Sequence, residues 1–256
     1  ANSLVGNSST GKIGNQIYIL PNGNYVVTST EYINGPSFNA GAVTWGNGNA
    51  GTVGVVSSAN SLVGTTLSDA VGTSIKILAN SNYFVGSPSF DNGSVINAGA
   101  VTWCSGTSAT TGAVSASNSI VGSTANDNIG NDLLSSVSLE LPNGKFILHC
   151  QSWDNGAVPN AGAIRMCETT LPTVGTISST NSLVGSTASK SIYLFHYLNP
   201  TKAFITSPLW DNGAITNAGA IKIFDISSGL TGTFSATTAD ALLGTTAFDF
   251  SNMSIK

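Results

Sequence analysis

Charged side chains are scarce: Asp, Glu, Lys and Arg together make up 8% of the 256 residues, where an ordinary soluble domain carries about a quarter. Solubility must therefore come from neutral polar groups, and abundant Asn, Ser and Thr with 29 glycines fill the gap. The eight Lys and Arg are scattered singly in a chain of net charge -4. No basic stripe exists to neutralise a run of phosphates, which excludes nucleic acid as an expected partner. No apolar run approaches the roughly 20 residues needed to span a bilayer as a helix. The residues from Ala1 onward show neither a charged nor an apolar leader region, so any signal peptide is expected to have been removed already.

Residues that carry chemistry are equally sparse. The three cysteines, Cys104, Cys150 and Cys167, have no CxxC spacing and no histidine pair nearby, so they support no zinc site and read as small buried side chains. His149 and His196 fall in unrelated local sequences, neither in a motif pairing it with a nucleophile and an orienting acid. Glu31, Glu140 and Glu168 form no recurrent acid and base pair, and no phosphate-binding glycine loop lies between a strand and a helix. The expectation is a protein that is not an enzyme, with no catalytic residue, no metal and no cofactor.

What the chain does have is repetition. Asn-Ser-Leu-Val-Gly occurs at residues 2–6, 60–64 and 181–185, with Ile for Leu at 118–122 and a decayed copy at 240–244. A second string, Asn-Ala-Gly-Ala, begins at Asn39, Asn97, Asn160 and Asn217. Two independent markers in step exclude chance and divide one repeat domain, 1–256, into repeats 2–59, 60–117, 118–180 and 181–239, plus a partial fifth at 240–256. The third repeat is about five residues longer than its neighbours, which places a loop insertion between Gly130 and Pro142.

Within a repeat the apolar residues follow a period of two, with no sustained helical spacing. In the first copy, residues 17–20 read as a strand, Pro21-Asn22-Gly23 as a hairpin turn and 24–29 as the partner strand, because Asn-Gly accepts the positive φ of a tight turn. Residues 41–45 and 52–57 read as third and fourth strands. Four antiparallel strands repeated at this length predict an all-β fold, a repeat β-propeller of four-stranded antiparallel blades, with a β-solenoid-like array as the alternative.

The order of residues 120–130, Ile-Val-Gly-Ser-Thr-Ala-Asn-Asp-Asn-Ile-Gly, then an apolar strand, Ser-Pro and Asn-Ala-Gly-Ala, resembles FG-GAP repeats over essentially the whole chain. In that family a GDxFG segment leads the first strand, xxVGAP ends the second and GAVYVF forms the third. Residues 127–130, 85–88 and 99–103 stand in those places. The repeats are more similar still to those of large haemagglutinin-like bacterial exoproteins. The resemblance implies an integrin-type propeller outside the cell or at its surface. FG-GAP blades often hold calcium in an acidic loop between the first two strands, where this chain has only Pro-Asn-Gly, so calcium of that type is not expected.

Two readings of function follow: a non-enzymatic extracellular structural or adhesin-like module that self-assembles into a larger array or fibre, or a carbohydrate-binding lectin. The lectin reading rests on recurrent aromatic-Asp-Asn-Gly loops, Phe90, Asp91 and Asn92, then Trp153, Asp154 and Asn155, then Trp210, Asp211 and Asn212. In these loops an aromatic face and amide or carboxylate edges could hold a surface glycan. The first repeat has Tyr32 and Ile33 instead. Turn closure and packing between repeats account for the same residues without a ligand. Phe248, Phe250, Met253 and Ile255 in the partial repeat are too apolar for a free tail and read as an assembly strand, pairing through sheet edges with another copy or within a longer parent chain. Because the hairpin turns offer amides rather than carboxylates, the melting temperature is expected to be the same with and without EDTA, and a sharp drop in EDTA would show that the fold depends on calcium.

Overall fold

The computed structural model describes residues 3–190, 192–227, 229–237 and 241–249. Among them there is no helix, and each repeat contributes five strands in the same order. The first repeat holds β1 (Leu4–Val5), β2 (Gln16–Ile19), β3 (Tyr25–Ser29), β4 (Ala42–Gly46) and β5 (Gly54–Val55). The second holds β6 (Leu62–Val63), β7 (Ser74–Ile77), β8 (Tyr83–Ser87), β9 (Ala100–Cys104) and β10 (Gly112–Ala113). In the third are β11 (Ser119–Val121), β12 (Leu139–Glu140), β13 (Lys145–Cys150), β14 (Ala163–Glu168) and β15 (Gly175–Thr176). The fourth has β16 (Leu183–Val184), β17 (Tyr193–Asn199), β18 (Lys202–Ser207), β19 (Ala220–Asp225) and β20 (Gly232–Thr233), and β21 (Ala241–Leu243) begins the partial fifth.

The hairpin forms where the turn chemistry puts it. Gly23 takes φ 85°, and Leu20 N–H donates to Asn24 O at 2.8 Å across the turn. In the second repeat Ser81 occupies the same conformation at φ 72°, with Leu78 N–H to Asn82 O at 2.9 Å.

The sheets are not the self-contained four-stranded units that periodicity suggests. Three of the five sheets among the described residues take a hairpin and third strand from one repeat and two short strands from the next, giving the orders β10-β6-β4-β3-β2, β15-β11-β9-β8-β7 and β12-β13-β14-β16-β20, beside a four-stranded β17-β18-β19-β21 and a two-stranded β1-β5. The Leu-Val lead strand of a repeat lies antiparallel on the previous third strand, pairing Ala42 with Val63 and Val43 with Leu62. The tail strand then returns to lie parallel to its own lead strand, as Gly112 opposite Leu62 and Ala113 opposite Val63. The expected fourth strand at 52–57 is therefore only Gly54–Val55, and its partner is β1 in parallel rather than β4. A lead strand already fills the edge of β4, so no place remains there for the tail.

The chain divides into two compact units, Ala1–Leu134 with Glu168–Thr176, and Ser135–Cys167 with Ile177–Lys256. The first is centred on Leu20, Val26, Val43, Leu62, Val71, Tyr83, Val85 and Phe90, with a smaller cluster of Tyr32, Ala42, Val56 and Val63. The second is centred on Leu141, Ile147, Ile164, Leu183, Ile205, Ile226 and Phe234. Lead-strand residues appear in all three clusters. Burying their apolar area removes each from water at roughly 25 cal/mol per Å².

The Ala-Gly pairs that open β4 and β9 are where two backbones meet. Gly99 has φ 73°, and a Cβ on it would lie 2.1 Å from Ile129 N, the residue that bridges to it in parallel. Gly41 faces Val71 N at the same 2.1 Å. Gly99→Val is expected to destabilise by about 3 kcal/mol through left-handed strain and overpacking together. Denaturant titration measures this, and an unchanged midpoint would show that the backbone there can yield.

Candidate functional site

The recurrent aromatic-Asp-Asn-Gly loops bring backbone, amide and carboxylate groups together at one place in each repeat that carries them. In the second repeat the loop closes by a turn, Phe90 N–H to Ser87 O at 3.1 Å, and by a two-bond bridge, Asn92 N–H to Val95 O at 3.0 Å and Val95 N–H to Asn92 O at 3.1 Å. Asp91 Oδ1 accepts the N–H of Asn97 at 2.8 Å, Asp154 that of Asn160 at 2.7 Å and Asp211 that of Asn217 at 2.8 Å. These carboxylates hold their own loops, the ordinary work of Asp in a turn.

The asparagines reach further. Asn34 Nδ2 donates to Gly64 O at 2.7 Å, Asn92 to Gly122 O at 3.4 Å, Asn155 to Gly185 O at 2.8 Å and Asn212 to Gly244 O at 3.0 Å. Every one ties its loop to the glycine that ends the next lead strand. The N–H of that glycine is used too: Gly64, Gly122, Gly185 and Gly244 donate to Gly41, Gly99, Gly162 and Gly219 O at 3.0, 3.3, 2.9 and 3.0 Å.

The aromatic rings face inward. Phe90 and Trp153 are each only 3% exposed, and Trp153 Nε1 is buried with no hydrogen-bond partner among the described residues. Trp210 is half-buried against the second core, edge-on to Phe234 at a centroid distance of 5.3 Å. Tyr32, also buried, donates its hydroxyl to Val56 O at 3.2 Å. Tyr32 and Trp210 thus pack beside the tail strands of their own repeats. Asp91, Asn92, Asp154, Asn155, Asp211 and Asn212 are half-buried in the bonds given above. Phe248 is 53% exposed and its N–H donates to Asn217 O at 2.7 Å; Phe250, Met253 and Ile255 lie outside the described residues.

A second group was not singled out from the sequence, although its signal, Gly-[Ser/Thr]-Thr-x-x-Asp, is present at 64–69, 122–127 and 244–249. Asp69, fully buried, accepts the N–H groups of Thr65 at 2.7 Å, Thr66 at 2.8 Å and Asp91 at 3.0 Å. Asp127 is held likewise by Ser123 N–H at 2.7 Å, Thr124 N–H at 2.8 Å and the Thr124 hydroxyl at 2.6 Å. Such bonds offset the cost of removing a carboxylate from water. The fourth repeat has Lys190 at this position, and its Nζ pairs with the loop carboxylate Asp211. That ammonium, with the Asn217 N–H, lowers the Asp211 carboxyl below its ordinary range.

A third set of contacts joins a hairpin to the tail loop of the next repeat. Asn22 Nδ2, Asn24 Nδ2 and Trp45 Nε1 converge on Gly106 O at 2.8, 2.9 and 3.1 Å. One repeat later Asn80, Asn82 and Trp103 converge on Thr169 O at 2.9, 3.0 and 2.9 Å.

Little else could do chemistry. His149 is buried on β13 with Nε2 2.9 Å from Ile192 O, while His196 is exposed on β17. Cys104, Cys150 and Cys167 are buried thiols, and burial pushes that of Cys104 up to about 12. A polar cleft of about 500 Å³ is lined by Asn15, Gln16, Thr28, Thr30, Ala70, Gly72 and Thr73, with no ionisable group among them. Among the described residues no three His, Cys, Asp or Glu side chains cluster as metal ligands.

A family model described as a repeat of unknown function (DUF5650) matches the chain four times, at residues 19–73, 77–131, 140–193 and 203–252. No curated protein matches it. Each match begins in a hairpin strand or turn and runs through the following lead strand and its loop, so the matched unit spans a join between repeats.

The join in the partial fifth repeat titrates in an accessible range. Asp249 is held down to about 2, chiefly by the Thr246 hydroxyl and then by the Thr246 and Thr245 N–H groups. Its folded pKa lies below the unfolded value near ~3.9. Its stabilisation is therefore complete above that value and disappears as pH falls toward 2. Carboxyl NMR titration is expected to show this low midpoint and to show it rising in Thr246→Val; an ordinary midpoint in the parent chain would mean the loop is open.

Proposed function

The chain belongs to the DUF5650 repeat family, and from that membership and the geometry of its joins we propose that it is a non-catalytic structural module, an adhesin-like repeat scaffold that works outside the cell. The observation that carries this is the asparagine-to-glycine latch, present at all four joins. The loop asparagines are engaged with the next repeat and the loop carboxylates with their own loops, which supports a structural reading of these polar groups. Scarce charge and the resemblance to exoprotein repeats support an extracellular setting. In the propeller reading that the FG-GAP resemblance implies, each sheet would be one blade, and the same five-strand order in three sheets supports it.

Repeat arrays gain stability from nearest-neighbour interfaces, so the latch should appear in stability rather than in binding. Asn155→Ala is expected to cost about 1–2 kcal/mol by stranding the Gly185 carbonyl, measured by denaturant titration. The parent chain is expected to give no specific signal on a glycan array. A saccharide that binds the parent but not Trp210→Ala, with the melting temperature of that variant unchanged, would overturn the scaffold reading in favour of a lectin.

A further inference from the structure

Successive joins fill the space beside their hairpins differently. On β3, Thr28 stands between Gln16 and Val43; on β8, Gly86 holds the same place between Ser74 and Val101. A Cβ on Gly86 would lie 2.2 Å from Ser74 Oγ and 3.0 Å from Leu133 Cδ2, so glycine makes room there for a leucine of the following repeat. Leu133 belongs to the longer loop of the third repeat and is 0% exposed. With it in place, Ser74 Oγ is buried with no hydrogen-bond partner among the described residues. In the third repeat the equivalent residue is His149, thirteen residues before Gly162 as Thr28 and Gly86 are before Gly41 and Gly99. Its ring fills the place and reaches Ile192 O at 2.9 Å.

The first join has no such filling. β7 starts at Ser74, two residues after Gly72, whereas β12 starts at Leu139, nine residues after Gly130, so no segment of the second repeat plays the part of Leu133. What remains is the polar cleft of about 500 Å³, a volume within the range of small-molecule sites. Its floor is Thr28, only 2% exposed, whose hydroxyl makes no hydrogen bond among the described residues and, unlike Ser74 Oγ, opens into the cleft. Around it Thr30 offers a second hydroxyl. Gln16 keeps its amide N–H groups while its Oε1 accepts from the Tyr18 hydroxyl. Thr73 donates to Ala70 O at 2.8 Å and retains the lone pairs of its own oxygen. Asn15 Oδ1 accepts from Thr30 N–H at 2.8 Å, which fixes the rim.

We propose that this cleft is a binding site for one neutral polyhydroxyl ring, such as a single pyranose. No ionisable group lines it, so a charged ligand would lose water without gaining a counter-charge. An apolar ligand would strand the Thr28 hydroxyl. Ring hydroxyls that donate and accept in turn match Thr28, Thr30, Gln16 and Thr73, and a few neutral bonds in an open cleft support a dissociation constant on the order of 1 mM. One site of that strength per chain is too weak to hold the protein on tethered glycans, so it adds to the scaffold reading without altering it. It shares no lining residue with the aromatic-Asp-Asn-Gly loops.

The test is an NMR titration of the isotope-labelled full chain with methyl α-glucoside, methyl α-galactoside and myo-inositol, with acetamide as a neutral ligand that lacks hydroxyls. At least one polyol is expected to give saturable shifts centred on Gln16, Thr28, Thr30 and Gly72, and acetamide none. Thr28→Val keeps the shape of the floor and removes its hydroxyl, and is expected to weaken binding about tenfold with the melting temperature unchanged. Thr30→Leu, which fills the cleft from its wall, is expected to abolish the shifts. No saturation with any polyol up to about 100 mM, a hundred times the expected constant, would overturn the proposal. So would saturable shifts centred on other residues, equal shifts from acetamide, or binding that is unaffected by Thr28→Val. None of these outcomes touches the asparagine latches, which are tested by the stability of Asn155→Ala.

Discussion

The structure depends on one requirement: the open edge of every third strand has to be closed by the Leu-Val-Gly of the following repeat. A single residue makes two of the bonds, since the glycine N–H donates to the carbonyl of the glycine that opens the third strand while its own carbonyl accepts from the loop asparagine. Buried backbone groups left without partners would cost more than the bonds themselves contribute. A repeat without its successor therefore exposes both an edge and an apolar lead-strand site. This explains why the tail strand travels back to lie beside its own lead strand and why two joins of successive repeats share the same buried pair, Thr44 with Ser61 and Thr102 with Ser119, each at 2.7 Å.

Scarcity of charge and abundance of asparagine are two sides of this design. A side-chain amide both donates and accepts without the desolvation cost of an ion, so it can be half-buried at a join and still be satisfied. Asn60 shows the economy, accepting from Ser57 N–H at 2.9 Å while donating to Val55 O at 2.9 Å, and Asn118 does the same with Ser115 and Ala113. Where a carboxylate is buried, as at Asp69, it is surrounded by N–H donors rather than by a cation. The fourth repeat departs from this by using Lys190 against Asp211, and its Lys222 lies over the Phe224 ring at 5.5 Å. The Thr44 and Asp69 of the first join are thus both replaced there by cations, Lys222 and Lys190.

Much of this was visible in the residues. The repeat boundaries are carried by recurrent strings, and the hairpin at Pro21-Asn22-Gly23 is local, written in residue types that favour the positive φ of a tight turn. The lead strands were not legible as strands, because Leu62–Val63 has two residues and no alternation can be seen in two. The direction of Phe90 and Trp153 was not legible either. An aromatic residue before Asp-Asn-Gly suits a sugar platform as well as a core, and what decides between them is whether another strand covers it.

By itself the sequence determined the period, the all-β character and the turns, since these depend on contacts among residues close in the chain. Tertiary structure alone decided that the sheets are shared between repeats, that the tail strand pairs in parallel with its lead strand, and that Asn34, Asn92, Asn155 and Asn212 donate to the next repeat. Those are pairings between residues about 30 or 50 apart, as with Asn34 and Gly64 or Leu62 and Gly112. No local pattern encodes them, because each depends on which of several open edges is nearest once the hairpins have formed.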